Sequence, residues 1–174
     1  FYIARSGRPG PVVIDLPKDI VTAKSAYIGS GDIKHKTYRP QLKGDSQRIK
    51  QAVNLIANAN RPIIYAGGGV INSGPAACQL LTNFVNMTRI PTTLTLMGLG
   101  AIPASQREFL GMLGMHGTYE ANMAMHQCDV MVAVGSRFDD RITGRLDAFS
   151  PNSKKIHIDV DPSSINKNVL VDFP

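Results

Sequence analysis

Cysteine is nearly absent from the 174-residue sequence, with only Cys78 and Cys128, and aromatic residues make up just 6%. The two cysteines lack metal-ligand spacing and both follow helical patterns. They read as buried thiols in a reducing compartment rather than a disulfide. No apolar run approaches the roughly 20 residues that a membrane helix needs, and no signal-peptide pattern is present. The chain opens at Phe1 in structured-looking sequence, so a piece of a longer chain is expected. The four histidines, His35, His116, His126 and His157, are dispersed and make no metal constellation. There is no P-loop lysine motif and no nucleophile elbow. Basic residues outnumber acidic ones by 19 to 13, yet they are scattered and no aromatics interleave with them. A nucleic-acid groove is therefore poorly supported. A phosphate-bearing small ligand, or acidic surfaces elsewhere in a parent chain, accounts for the excess as well.

What is present is an alternation. Residues 1–19 form a distinct opening, in which Val12 to Leu16 reads as a strand bounded by Pro11 and Pro17. Residues 20–44 lose periodicity and read as a linker, and residues 45–174 as a domain of their own. Asp45 or Ser46 is placed to cap a helix whose inward positions are Ile49, Ala52, Val53, Ile56 and Ala57. Pro62 opens a strand, Ile63 to Ala66, followed by three glycines. Ser73 is placed to cap a second helix, with Pro75 in its first turn and Ala77, Leu80, Leu81, Phe84 and Val85 facing inward. Thr92 to Leu96 is a third run. An irregular passage, 101–117, precedes a helix from Thr118 to about Gln127. Asp129 to Val134 and Lys155 to Val160 are two more strands. Strand, glycine turn and helix in repetition give an α/β fold, a parallel sheet with helices on both faces. Every strand then ends on one edge, where Gly67–Gly69, Gly98–Gly100, Gly114–Gly117 and the 135–141 segment should converge.

That edge carries the candidate chemistry. The glycine triplet lets backbone approach a ligand, although Asn72 replaces the third glycine of a dinucleotide fingerprint; a tight turn explains it equally. His116 either meets a ligand or satisfies a loop carbonyl. Arg137 and Arg141 on one helical turn would fork around a pyrophosphate, or pair with Asp139 and Asp140 in a purely structural cluster. Asp159, at a strand end, is placed for ribose hydroxyls, and Asp161 to cap the turn after it. Arg8 and Lys18 either reach this edge or are solvated.

Several strings together resemble the large catalytic subunits of acetolactate synthase (acetohydroxyacid synthase). They are SGRPGPVVIDLPKDI (6–20), AGGGVI (66–71), LMGLGAIPA (96–104), LGMLGMHGTYEANMAM (110–125), VGSRFDDRITG (134–144) and HIDVDPSSINK (157–167). The wording is more similar to the bacterial biosynthetic enzymes than to plant or fungal ones. The resemblance implies a cytoplasmic enzyme using thiamine diphosphate and Mg2+. It decarboxylates pyruvate and condenses the two-carbon unit with a second 2-keto acid, in branched-chain amino acid biosynthesis. It implies a three-layer Rossmann-like central domain that holds FAD structurally. Residues 1–19 would be the last strand of a preceding pyrimidine-binding domain. The implied FAD contacts are Arg8; Gly67, Gly68 and Gly69; Thr95, Leu96 and Met97; Leu113, Gly114, Met115 and His116; Gly135, Ser136, Arg137, Asp139, Arg141 and Ile142; and Asp159. Lys18 matches a lysine at the substrate channel, where herbicides bind in relatives. Met97 stands where many relatives have Gln, and Asp159 where many have Glu. The activating glutamate and the GDG…N motif are not in the chain, so no catalytic or metal-binding residue is assigned and the chain alone is expected to be inactive. A homo-oligomer with a small regulatory subunit is implied for the parent. Alternatives are another thiamine-dependent carboligase or decarboxylase, such as glyoxylate carboligase or pyruvate oxidase, and a non-catalytic nucleotide-binding module.

Overall fold

A computed structural model describes residues 1–174 except 28, 30, 32–36 and 39. His35 and part of the 20–44 linker lie outside the described residues. The chain opens with two short helices, α1 (Tyr2–Arg5) and α2 (Lys18–Thr22). The expected strand between them is not formed. Val12, Val13, Ile14 and Leu16 are 47–91% exposed and pair with no neighbour among the described residues. A strand exists only by bonding to another, and β-branched composition alone does not supply one. Tyr38 folds back on this opening, donating its hydroxyl to the Ser6 carbonyl at 2.8 Å.

Helix α3 (Ser46–Ala57) begins where Asp45 Oδ1 accepts the Arg48 amide at 2.8 Å. Its inner face differs from expectation. Ala52, Leu55 and Ile56 meet the core, while Ile49 and Val53 are 53% and 55% exposed and Ala57 is exposed too. Both stripes satisfy helical spacing, and packing selects the one that contains Leu55. Strand β1 (Pro62–Ala66) runs into α4 (Gly68–Asn72), a short helix absent from the sequence reading. Ser73 therefore ends α4, its hydroxyl donating to the Gly69 carbonyl at 2.8 Å, rather than capping the next helix. Gly74, at φ +91°, takes that place before α5 (Pro75–Thr88). Leu81 and Val85 of α5 are buried, but Leu80 is 69% exposed, on the solvent side of the same stripe.

Strand β2 (Thr92–Leu94) is shorter than expected because the Thr95 hydroxyl accepts the Gly98 amide at 3.0 Å and starts a 3-10 turn over Leu96–Gly98. Strand β3 (Phe109–Met112) lies inside the passage expected to be irregular. Gly111, at φ +89°, interrupts its alternation, and its register against β2 is broken. Helix α6 (Tyr119–Gln127) is capped by Thr118, as its sequence suggests. Strand β4 (Val130–Val134), helix α7 (Asp140–Thr143) and strand β5 (Lys154–Ile158) complete the fold. Strand β5 stops two residues earlier than expected, and Asp161 caps the following turn by accepting the Ser163 amide at 3.0 Å.

Among the described residues five strands form one parallel sheet, in the order β3-β2-β1-β4-β5. Because successive side chains alternate, β1 sends Ile64 and Ala66 into one core with α5, and Ile63 and Tyr65 into another with α6. Two cores on opposite faces make three layers, which is the expected α/β architecture. Among the described residues no helix is long and apolar enough to cross a membrane.

Candidate functional site

The strands stop level with one another. Ala66 is in register with Leu94 and Val134, Leu94 with Met112, and Val134 with Ile158. The residues that follow, Gly67, Thr95, Leu113, Gly135 and Asp159, therefore begin five segments along one edge. The chain leaves β1 toward β2 and leaves β4 toward β5. The gap between β1 and β4 is thus the switch point, where open α/β sheets part their connections and admit ligands.

Glycines close that gap. The Gly67 amide donates to the Val134 carbonyl at 2.9 Å and the Gly69 amide to the Gly135 carbonyl at 2.8 Å. A Cβ on Gly69 would lie 2.6 Å from Gly135 Cα, and one on Gly98 would lie 2.7 Å from the Ala66 carbonyl oxygen. Two of the triplet's glycines thus serve contact between backbones, while Gly68 faces Met97, whose Cβ would be 3.0 Å from its own. Beside them Leu96 and Met97 are 67% and 76% exposed.

A second group gathers at β3. The Met115 amide donates to the Arg141 carbonyl at 3.0 Å, and Gly114 packs against Arg141 and Ile142. Asn122 holds Gly114 by both its amide and its carbonyl, each at 3.0 Å. An open depression of about 520 Å³ lies here, lined by Gly114, Met115, Arg141 and Ile142 among others. Leu113 is only 2% exposed and lines a smaller cavity of about 190 Å³ beneath, with Phe149 and Thr143. His116 is exposed in the loop.

The arginines do not share a helical face, because Arg137 precedes α7 and Arg141 lies within it. Arg137 Nη2 is 3.0 Å from Asp139 Oδ2, and Arg141 Nε is 4.0 Å from Asp140 Oδ1. Both guanidiniums stay mostly exposed, at 61% and 71%. Asp139 also caps α7, and the Arg141 amide, ahead of the Arg137 charge, holds its carboxyl below the usual range. Ser136 turns inward, donating its hydroxyl to the Tyr65 carbonyl at 3.2 Å.

At the far side, Asp159 Oδ1 accepts the Asp161 amide at 2.8 Å. Arg8 reaches this turn, with Nη1 3.8 Å from Asp161 Oδ2. Lys18 is exposed at the start of α2 and no contact joins it to the edge among the described residues.

Sequence reasoning missed Tyr65, His157 and Asn122. The signal for Tyr65 was a polar ring inside an otherwise aliphatic strand, and for His157 an imidazole between two isoleucines. For Asn122 it was an amide side chain four residues after the cap Thr118.

A doubly wound α/β domain is thus defined, with glycine turns, two exposed arginines and exposed apolar side chains along the carboxyl edge of its sheet. The family described as thiamine pyrophosphate enzyme, central domain, matches residues 49–174. The chain belongs to that family. Across its whole length it is 49% identical to the acetolactate synthase isozyme 3 large subunit of Escherichia coli (strain K12), covering 30% of that protein. It is 48% identical to the acetolactate synthase large subunit of Haemophilus influenzae, again over the whole chain and 30% of the relative. The acetolactate synthase of Mycobacterium leprae is 44% identical over the whole chain and 28% of its own length. The chain therefore spans less than a third of these curated relatives.

Proposed function

We propose that the chain is the central, cofactor-holding part of an acetolactate synthase large subunit. In the parent, pyruvate is decarboxylated and its two-carbon unit is joined to pyruvate or 2-ketobutyrate, toward branched-chain amino acids. Thiamine diphosphate, bound with Mg2+ on other domains, supplies carbanion stabilisation. Residues 1–19 belong with a preceding pyrimidine-binding domain, 20–44 link, and 45–174 form the FAD-binding domain. The parent is a cytoplasmic homo-oligomer that takes a small regulatory subunit.

The observation that carries the cofactor reading is the mixed character of the carboxyl edge. Leu96, Met97 and Met115 expose apolar surface, at 67%, 76% and 64%, within one row of segments that also bears Arg137 and Arg141. FAD matches both halves, an apolar ring system and an anionic pyrophosphate. Arg137 and Arg141 would hold the phosphates. Leu96, Met97 and Met115 would cover the rings and exclude water. Gly68 and Gly114 let Met97 and Arg141 lie close against the backbone, Thr95 begins the segment that carries Leu96 and Met97, and Asp159 would accept ribose hydroxyls. Arg8 closes over the same end, and Lys18 borders the substrate channel. Identity near one half to three acetolactate synthases supports the choice of parent. Reconstitution of the flavin-free full-length protein with FAD tests the reading. Stoichiometric uptake that is lost in an Arg137→Ala/Arg141→Ala variant is expected; equal uptake by the variant contradicts it.

A further inference from the structure

The turn between β4 and α7 is held from inside the sheet by two buried rings. Tyr65 on β1 and His157 on β5 lie in one row, each in register with Ala133 between them. Tyr65 is 0% exposed and His157 1%. The Tyr65 hydroxyl donates to the Arg137 carbonyl at 3.2 Å, and His157 Nε2 lies 2.8 Å from the Ser136 carbonyl oxygen. A carbonyl only accepts, so Nε2 is the donor in this contact. Among the described residues Nδ1 has no hydrogen-bond partner, and Phe138 packs against the ring at 5.2 Å. The charged group facing the imidazole is Asp159, with Oδ2 3.8 Å from Nε2. An apolar ring would fill the same space without an orphaned buried nitrogen, so the N–H to Ser136 is what the imidazole adds. Burial pushes the Tyr65 phenol well above its usual range, which keeps it a donor.

Two successive carbonyls are thereby drawn into the core. The peptide bonds here are trans, and a trans peptide sets N–H opposite C=O. The amides of Arg137 and Phe138 therefore turn away from the core. The Arg137 side chain leaves from the same two fixed planes and is 61% exposed.

We propose that Tyr65 and His157 are positioning residues for the dinucleotide site, fixing from beneath the two peptide planes that present Arg137 to a phosphate. This rests on the FAD reading above and deepens it. Neither ring is expected to touch the ligand. The test is a double-mutant cycle in the full-length protein. Tyr65→Phe and His157→Phe keep ring volume and remove the donors, and each is made with Arg137 intact and with Arg137→Ala. FAD affinity is measured by equilibrium dialysis of flavin-free protein. Each Phe variant is expected to weaken FAD about 3- to 10-fold when Arg137 is present, and less than about 2-fold when it is Ala. Equal losses in both backgrounds reveal general loosening and overturn the proposal. Should His157→Phe fail to fold, the Tyr65→Phe cycle decides by the same criterion. Absence of FAD uptake by the wild-type protein overturns the FAD reading and this inference together. Normal uptake by the wild type and by both Phe variants overturns this inference alone.

Discussion

Gly67→Ala and Gly135→Ala disturb one contact at different conformational cost. Gly67 sits at φ −118° and ψ −173°, extended backbone that alanine adopts freely. Its added Cβ would meet the Gly135 carbonyl oxygen and lie 2.6 Å from Ser136 Cβ. The neighbours are backbone or its immediate attachment, so the two loops must part, at an overpacking cost of about 1–3 kcal/mol. Gly135 adds a second cost. At φ +56° it occupies the left-handed region, which costs an L-residue about 1–2 kcal/mol. Its Cβ would also lie 2.8 Å from Gly69 Cα and 2.9 Å from the Val70 nitrogen. The total for Gly135→Ala is therefore about 2–5 kcal/mol. One separation of the loops relieves both clashes, so the double variant should cost less than the sum. Equilibrium urea unfolding of the 174-residue chain, followed by circular dichroism with the slope unchanged, measures all three. A Gly67→Ala cost below about 0.5 kcal/mol, the level of an ordinary surface change, would refute the close approach. A Gly135→Ala cost equal to that of Gly67→Ala would refute the left-handed turn.

Arg137→Ala and Arg141→Ala should each weaken FAD about tenfold, the loss of a charge-assisted contact, with the unfolding midpoint unmoved because both guanidiniums are mostly exposed; dialysis and urea titration together check this. Asp129 accepts the amides of Asn60 at 2.7 Å and Arg61 at 2.9 Å, so Asp129→Ala should cost about 1–2 kcal/mol in the same unfolding assay. Burial opposes the Asp129 charge, but those two amides outweigh it and hold the carboxyl below its usual range. Its folded value is depressed, so its contribution is complete above the unfolded value of about 3.9 and fades as pH falls through the folded one. The gap between wild type and Asp129→Ala should accordingly narrow in acid, and a gap of constant size from neutral pH to about pH 2 speaks against it. The isolated chain should form no acetolactate from pyruvate in a colorimetric assay; robust product formation contradicts the division of labour between domains.

Strands β1 and β4 were legible because each is a near-continuous apolar run, the pattern of a strand buried on both faces, and β5 because Ile156 and Ile158 alternate ahead of the closing Asp161-Pro162. Strand β3 was not, since Gly111 breaks its alternation and the pairing that makes it a strand comes from β2. Val12 to Leu16 shows the reverse, strand composition with no partner strand among the described residues. The α3 face was misread because Ile49 and Val53 fit helical spacing as well as Leu55 does, and only the sheet below chooses. At the site, convergence followed from the topology, because parallel strands share a carboxyl end. The geometry of the arginines did not, since it depends on where α7 begins. Tyr65 and His157 are 92 positions apart in number, and only the register through Ala133 brings them under one turn.

Hydrogen–deuterium exchange of the full-length protein with and without FAD addresses the cofactor edge most directly. Slower exchange is expected in segments 67–70, 95–99, 113–117 and 135–142, which follow the carboxyl ends of the strands. Loops at the opposite end of the sheet, 58–61 and 150–153, should be unchanged. Protection confined to that opposite end, or none in the four edge segments while FAD is bound, contradicts the account.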